Sequence, residues 1–215
     1  MKIRQIVTGE IYHVYNRSIA EYKIFNNDSE YLRMKETLNY YKINKPVVRF
    51  SERKDKSGRV EERVISQRDV KELVQVVCYC LMPTHTHLVL KQLTDKGISI
   101  FMGNALNSYS RYFNTKHNRK GPLWERRFKE VLVENDEQLL HLTRYIHLNP
   151  PTAYLVDNPA EWRWSSYMEY LSGNEDGICK YDDVLTINPK GYKNFVESRI
   201  LYQRELAKIK ELVLE

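Results

Sequence analysis

Residues 74 to 91 constrain the fold more than any other stretch. VQVVCYCL (74–81) is apolar on both faces, as a central strand of a sheet must be. Met82-Pro83-Thr84 breaks the run, and THTHLVLK (84–91) reads as a second strand. So short a connection pairs the two as antiparallel neighbours. Upstream, EIYHVYN (10–16) alternates and is rich in β-formers, so it is a strand. Asn27 or Asp28 can cap a helix whose stripe is Tyr31, Met34 or Lys35, Leu38 and Tyr41. Downstream, 97–116 reads as a helix with Ile100, Leu106 or Asn107, Ser110 and Phe113 on one side. WERRFKEVLV (124–133) is a fourth strand. DEQLLHLTRYIHL (136–148) is a helix with Leu139, Leu142 or Thr143, Ile146 and Leu148 on its apolar side, stopped by Asn149-Pro150. The order is split β-α-β-β-α-β followed by a helix. It predicts an α+β fold: a ferredoxin-like antiparallel sheet with helices on one face and the other face free for a site.

Residues 1–151 hold this pattern. Within them, 45–70 is a densely charged insertion with a turn signal at Lys56-Ser57-Gly58; a DNA-contacting β-ribbon and a solvated loop are both open readings. Residues 152–215 form an appended, mostly helical extension. It carries EWRWSSYMEYL, in which Trp164 is an anchor and Ser165 or Ser166 caps a short helix, and it ends in a helix from about Tyr192. Three cysteines, an odd count, argue against a secreted disulfide framework. Cys78 and Cys80 share a strand face and are expected as buried thiols. MKIRQIVTGEIYHVYN has no apolar stretch of signal type, and the longest apolar run, Val74 to Met82, cannot span a bilayer. The expectation is a soluble cytoplasmic protein with no membrane partner.

His85 and His87 are two apart in a strand, so both imidazoles leave the same face. They can serve one cation or simply sit in the sheet. Two protein ligands would leave coordination positions open for a phosphate. Tyr145 and Asn149, one helical turn apart, also share a face. A phenol is a weak nucleophile at neutral pH and needs a polarised target. A tyrosine on an amphipathic helix is equally a packing residue, and the chain has 16 tyrosines. His141 and His147 read as bystanders on the same helix.

YCLMPTHTHLVL (79–90) resembles the H-hydrophobic-H motif of single-strand DNA transposases with one catalytic tyrosine, the HUH superfamily. GPLWERRFKEVLV (121–133), LTRYIHLNPPTAYLV (142–156), EWRWSSY (161–167) and YHVYNRS (12–18) resemble further blocks, in order, of its REP-associated tyrosine transposase branch. The resemblance implies a divalent metal, Mg²⁺ or Mn²⁺, on His85 and His87, with Asn149 as third ligand. It makes Tyr145 the nucleophile, giving a 5′-phosphotyrosine link and a free 3′-hydroxyl, reversible without nucleotide hydrolysis. The expected partner is single-stranded DNA bearing hairpins, bound by a monomer or homodimer. Thr86 departs from the pattern, since the intervening residue is usually bulky and apolar; slightly poorer core packing is expected, not loss of metal.

The basic balance, 34 Lys and Arg against 28 Asp and Glu, suits a polyanion. Between 111 and 129, cations alternate with Tyr112, Phe113, Trp124 and Phe128, the components of a single-strand binder. Arg17, Arg111, Arg119, Lys120, Trp124, Arg126 and Arg127 are the candidate DNA contacts. A non-cleaving DNA or RNA hairpin binder on the same scaffold, and a metal phosphoesterase using water, are the competing readings.

Overall fold

The computed structural model describes residues 6–44, 71–173 and 177–214, with side chains as far as 209. The charged insertion, 45–70, therefore lies outside the described residues. Four strands, β1 (Ile11–Arg17), β2 (Val74–Met82), β3 (His85–Gln92) and β4 (Lys129–Leu132), form one sheet in the order β2-β3-β1-β4. All neighbours are antiparallel. The β1–β3 register pairs Val14 with Leu88 and Asn16 with Thr86, and it pairs Tyr15 with His87 and Arg17 with His85. Directly opposed residues share a face, so the two sets define the two faces of the sheet.

The Val14–Leu88 face is apolar and carries α1 (Asp28–Tyr41) and α2 (Gly97–Lys116). Tyr31, Met34, Leu38 and Tyr41 are buried, as the stripe on α1 predicts. On α2 the buried row is Phe101, Met102, Ala105, Tyr109 and Phe113, whereas Ile100 is 41% exposed. The observed row carries three rings at helical spacing, and burying it removes more apolar surface than the row through Ile100 and Ser110 would.

A buried carboxylate joins the two helices. Glu30, near the start of α1, accepts from Lys116 Nζ (2.8 Å), His117 Nε2 (2.7 Å) and the backbone N–H and side-chain amide of Asn26 (2.7 and 3.1 Å). Burial by itself raises its carboxyl; Lys116, Asn26 and His117 outweigh that and hold it at about 2, against an ordinary 4.5. Because the folded value is the lower one, the carboxylate's contribution is complete above pH 4.5 and is lost as pH falls toward 2. Glu30→Gln is expected to cost about 3 kcal/mol in urea unfolding at pH 7 and to flatten the acid limb of the stability profile. Wild-type stability at pH 7, or an unchanged acid limb, would refute the role given to this cluster.

The fourth strand is shorter than the sequence suggests. Only Lys129–Leu132 pairs with β1, while Trp124 makes an isolated bridge to Ser18. Its indole N–H donates to Leu106 O on α2 (3.3 Å); Glu125 N–H still donates to Arg17 O (3.1 Å), and the exposed Arg126 and Arg127 lie outside the ladder.

The helix α3 (Asp136–Thr152) also departs from expectation, because it continues through Pro150 and Pro151. Proline at 150 removes the N–H that would serve Ile146 O. The Asn149 side-chain amide compensates, donating to Tyr145 O (2.9 Å) and reaching Ile146 O (3.4 Å). Leu139, Thr143, Ile146 and Leu148 are buried on the side of α3 that packs toward β2.

The remaining chain straps the outer edge of β2. Leu81 N–H donates to Trp164 O, Ser166 N–H to Tyr79 O, and Lys180 N–H to Val76 O. This explains why every residue of β2 is buried. Ser166 sits at the start of α4 (Tyr167–Ser172), yet its hydroxyl accepts from Tyr79 N–H (3.0 Å) rather than capping the helix. Two more helices follow, α5 (Pro189–Glu197) and α6 (Ile200–Leu214). His147, fully buried on α3, ties the layers together through Tyr192 OH and Ser166 Oγ, both at 2.8 Å. It is thus a structural residue, not an idle one. Cys78, Cys80 and Cys179 are free buried thiols. Among the described residues no helix is long and apolar enough to cross a membrane.

Candidate active site

The face of the sheet opposite α1 and α2 carries His13, Tyr15 and Arg17 from β1 beside His85 and His87 from β3. Alternation along each strand puts them there together. Tyr145, Asn149, Thr152 and Ala153, from α3 and its end, complete a cavity of about 780 Å³, with Glu125, Arg126 and Lys129 at its β4 side and Ala207 of α6. The His85 and His87 rings stand 5.0 Å apart and nearly perpendicular. The Tyr145 ring lies 6.0 Å from His87, edge to face, and the residue is 42% exposed. Its phenol is therefore not a core group.

Hydrogen bonding decides which imidazole nitrogens are available. His85 Nδ1 is 3.0 Å from Thr84 Oγ1, and His87 Nδ1 is 3.0 Å from His13 Nε2. With both Nδ1 atoms engaged, the two Nε2 atoms have no hydrogen-bond partner among the described residues. Desolvation, with Arg17 adding to it, lowers His85 to about 4; desolvation and then His85, His13 and Arg17 push His87 well below its usual value. Both rings are neutral at pH 7, the form that ligates a metal. Asn149 is oriented by its backbone bonds: only the amide nitrogen can donate to two carbonyls, so Oδ1 is its free end. Among the described residues, no three His, Cys, Asp or Glu are grouped to hold a metal ion. The donor set here is instead two imidazoles and an amide oxygen, which suits a divalent ion of borderline hardness that keeps open positions.

Tyr145 has its phenol raised, first by desolvation and then by Tyr15, with Arg17 opposing. It is protonated at neutral pH and needs help to attack. Arg17, Arg126 and Lys129 outnumber Glu125 around the cavity, so its rim favours a polyanion. Arg17 also pairs with Glu21 at 2.9 Å on the exposed surface.

The other candidate DNA contacts divide. Trp124, Arg126, Arg127 and Phe128 line a second groove of about 420 Å³, joined to the first through Arg126. Arg111 instead lines a groove between α1 and α2, with Arg33 and Tyr112, on the other side of the sheet. Arg119 is tied to Asn114 Oδ1 (3.1 Å) and lies over the Tyr22 ring, so it braces its own loop. Lys120 is exposed at the same loop. His13 and Tyr15 also line the site, although neither was among the sequence candidates; the β1–β3 register brings them there.

Thr86 points away from the site, opposite Asn16, and is fully buried. Its hydroxyl finds no hydrogen-bond partner among the described residues. Thr86→Val keeps the shape and removes that unpaired group, so it is expected to stabilise by about 1 kcal/mol and raise the thermal midpoint by roughly 3 °C. A lowered midpoint would mean that the hydroxyl is satisfied.

The site is thus a four-stranded antiparallel sheet with two imidazoles on one face and a helix-borne tyrosine beside them. Residues 52–149 match the profile of the IS200-like transposase family. A Haemophilus influenzae protein named as a candidate REP-associated tyrosine transposase is 27% identical over 127 residues, spanning 50% of this chain and 72% of that one. A solved REP-associated tyrosine transposase bound to a REP hairpin shares the fold: TM-score 0.55, 14% identity, 88% of this chain and 95% of that one covered.

Proposed function

We propose that this chain nicks and rejoins hairpin-bearing single-stranded DNA through a covalent 5′-phosphotyrosine link at Tyr145. The observation that carries the reading is one shared cavity holding the Tyr145 phenol, both imidazoles and Asn149. The family match and the hairpin-bound relative support the choice of DNA hairpins over other phosphodiesters.

Two neutral Nε2 atoms, of His85 and His87, and Asn149 Oδ1 are the atoms that would hold Mg²⁺ or Mn²⁺. Bound there, the ion would withdraw electrons from a non-bridging phosphate oxygen and so stabilise the transition-state charge. Arg17, Arg126 and Lys129 would hold flanking phosphates and fix the scissile one against Tyr145. Tyr145 Oη then attacks phosphorus, its proton passing to water. The bond from phosphorus to the 3′-oxygen breaks, and that oxygen is released as a hydroxyl. Attack by another 3′-hydroxyl reverses these steps and regenerates the phenol, so no external energy source is consumed. Trp124 and Phe128, which line the adjoining groove, would stack on unpaired bases. Because Tyr145 reaches the histidines of its own chain, a monomer would hold a complete site. Residues 1–151 would provide this machinery, with 152–215 bracing it.

Covalent capture tests the reading. Labelled hairpin DNA with Mn²⁺ should give a denaturation-resistant adduct whose labelled peptide contains Tyr145. Free 5′-phosphate ends with no adduct would mean that water is the nucleophile; tight binding with neither product would leave a hairpin-binding protein.

A further inference from the structure

We propose that His13 is a positioning residue for His87: its Nε2 accepts the proton that His87 carries on Nδ1, which turns the His87 Nε2 lone pair toward the cation. The proposal rests on the reading of His87 as a metal ligand.

The observation is the 3.0 Å separation of His13 Nε2 and His87 Nδ1. Two imidazole nitrogens at that distance share a single proton, so one donates and one accepts. If His13 donated, His87 would carry its own proton on Nε2 and present no lone pair to a cation. If His87 donates, Nε2 is free and His13 keeps its proton on Nδ1. A bound cation selects the second arrangement. Metal-ligating histidines are generally held this way by a partner at the other ring nitrogen.

The surroundings fix the partner in place. His13 stands on β1, one step along from Tyr15, which is the direct cross-strand neighbour of His87. Its ring stacks against His87 with centroids 5.2 Å apart and planes 22° apart, and the Tyr15 ring lies against both, 5.0 Å from His13 and 6.1 Å from His87. Thr84 Oγ1 provides the corresponding contact to His85. The two ligands are thus oriented from opposite ends, one by the turn before β3 and one by β1. A direct ligand role for His13 fits less well, because the three histidines do not group around a common point.

The test is a Mn²⁺ titration of the full chain, with free Mn²⁺ read by its electron paramagnetic resonance signal. His13→Phe preserves ring packing but removes the acceptor; it should bind Mn²⁺ about 10–100-fold more weakly. His13→Gln offers an amide oxygen to His87 Nδ1–H and should recover most of the affinity, with an unchanged thermal midpoint showing that the variant is folded. His87→Ala should lose binding altogether. Wild-type affinity in His13→Phe, with binding lost in His87→Ala, overturns this proposal and leaves the site standing. Wild-type affinity in His87→Ala instead removes the ligand reading beneath it. Pulsed resonance should count two coordinated ring nitrogens in the wild type and in His13→Gln; a third in the wild type would make His13 a ligand and overturn the positioning role.

Discussion

Tyr145→Phe should eliminate the covalent protein–DNA adduct, by at least about 10³-fold, while hairpin affinity stays within about twofold. The two halves of this expectation have separate origins. The substitution removes one oxygen, the atom proposed to bond to phosphorus. The ring remains, edge to face with His87, so the wall of the cavity keeps its shape. Nothing else in the cavity is an equal substitute: Tyr15 lies in the sheet beneath the cation of Lys129, 5.8 Å from its ring. A gel of wild type and variant with end-labelled hairpin DNA, beside a binding titration, measures both quantities. Persistence of the adduct in the variant would reject Tyr145 and direct attention to Tyr15.

The second large effect is at His85. His85→Ala should slow cleavage by about 10²–10³-fold and leave DNA affinity nearly unchanged. The imidazole lies in the cavity between Thr84, which bonds its Nδ1, and the cationic Arg17, which disfavours a charged ring there. Such a ring is poorly suited to hold a phosphate by charge, since it is neutral at pH 7. In the proposed reaction it would act through its lone pair. Single-turnover cleavage against Mn²⁺ concentration should show the loss eased at high metal. Equal losses in cleavage and in binding would instead identify His85 as a packing residue of the sheet.

Both predictions follow from features that the sequence exposed unevenly. The sheet was legible because 74–91 combines a doubly apolar run, a proline turn and an alternating run, and few folds accommodate that order. The His85–His87 pair was legible because strand periodicity alone puts both rings on one face. Tyr145 and Asn149 needed the family resemblance, since helical spacing cannot separate a nucleophile from packing. His13 was out of reach for a different reason. Its relation to His87 depends on the register of two strands 74 residues apart, which no local pattern encodes. The end of α3 was misjudged because proline is read as a helix stop, while the Asn149 amide supplies the bond that Pro150 lacks. The same amide bonds orient the Asn149 oxygen, so the irregularity and the candidate ligand have one origin. The α2 stripe held at Leu106 and Phe113 but missed at Ile100, because two overlapping rows compete and ring volume, not periodicity, chose between them.

The strap along β2 has a consequence for how the chain can be divided. A protein cut after Pro151 would leave the backbone groups of Val76, Tyr79 and Leu81 facing water on a strand whose side chains are otherwise wholly apolar or sulfur-bearing but for Gln75. Bare edges of that composition recruit one another. Residues 1–151 and 152–215 are therefore mutually dependent for solubility: the trailing segment acts as a built-in guard against self-association, and the leading one is expected to aggregate without it.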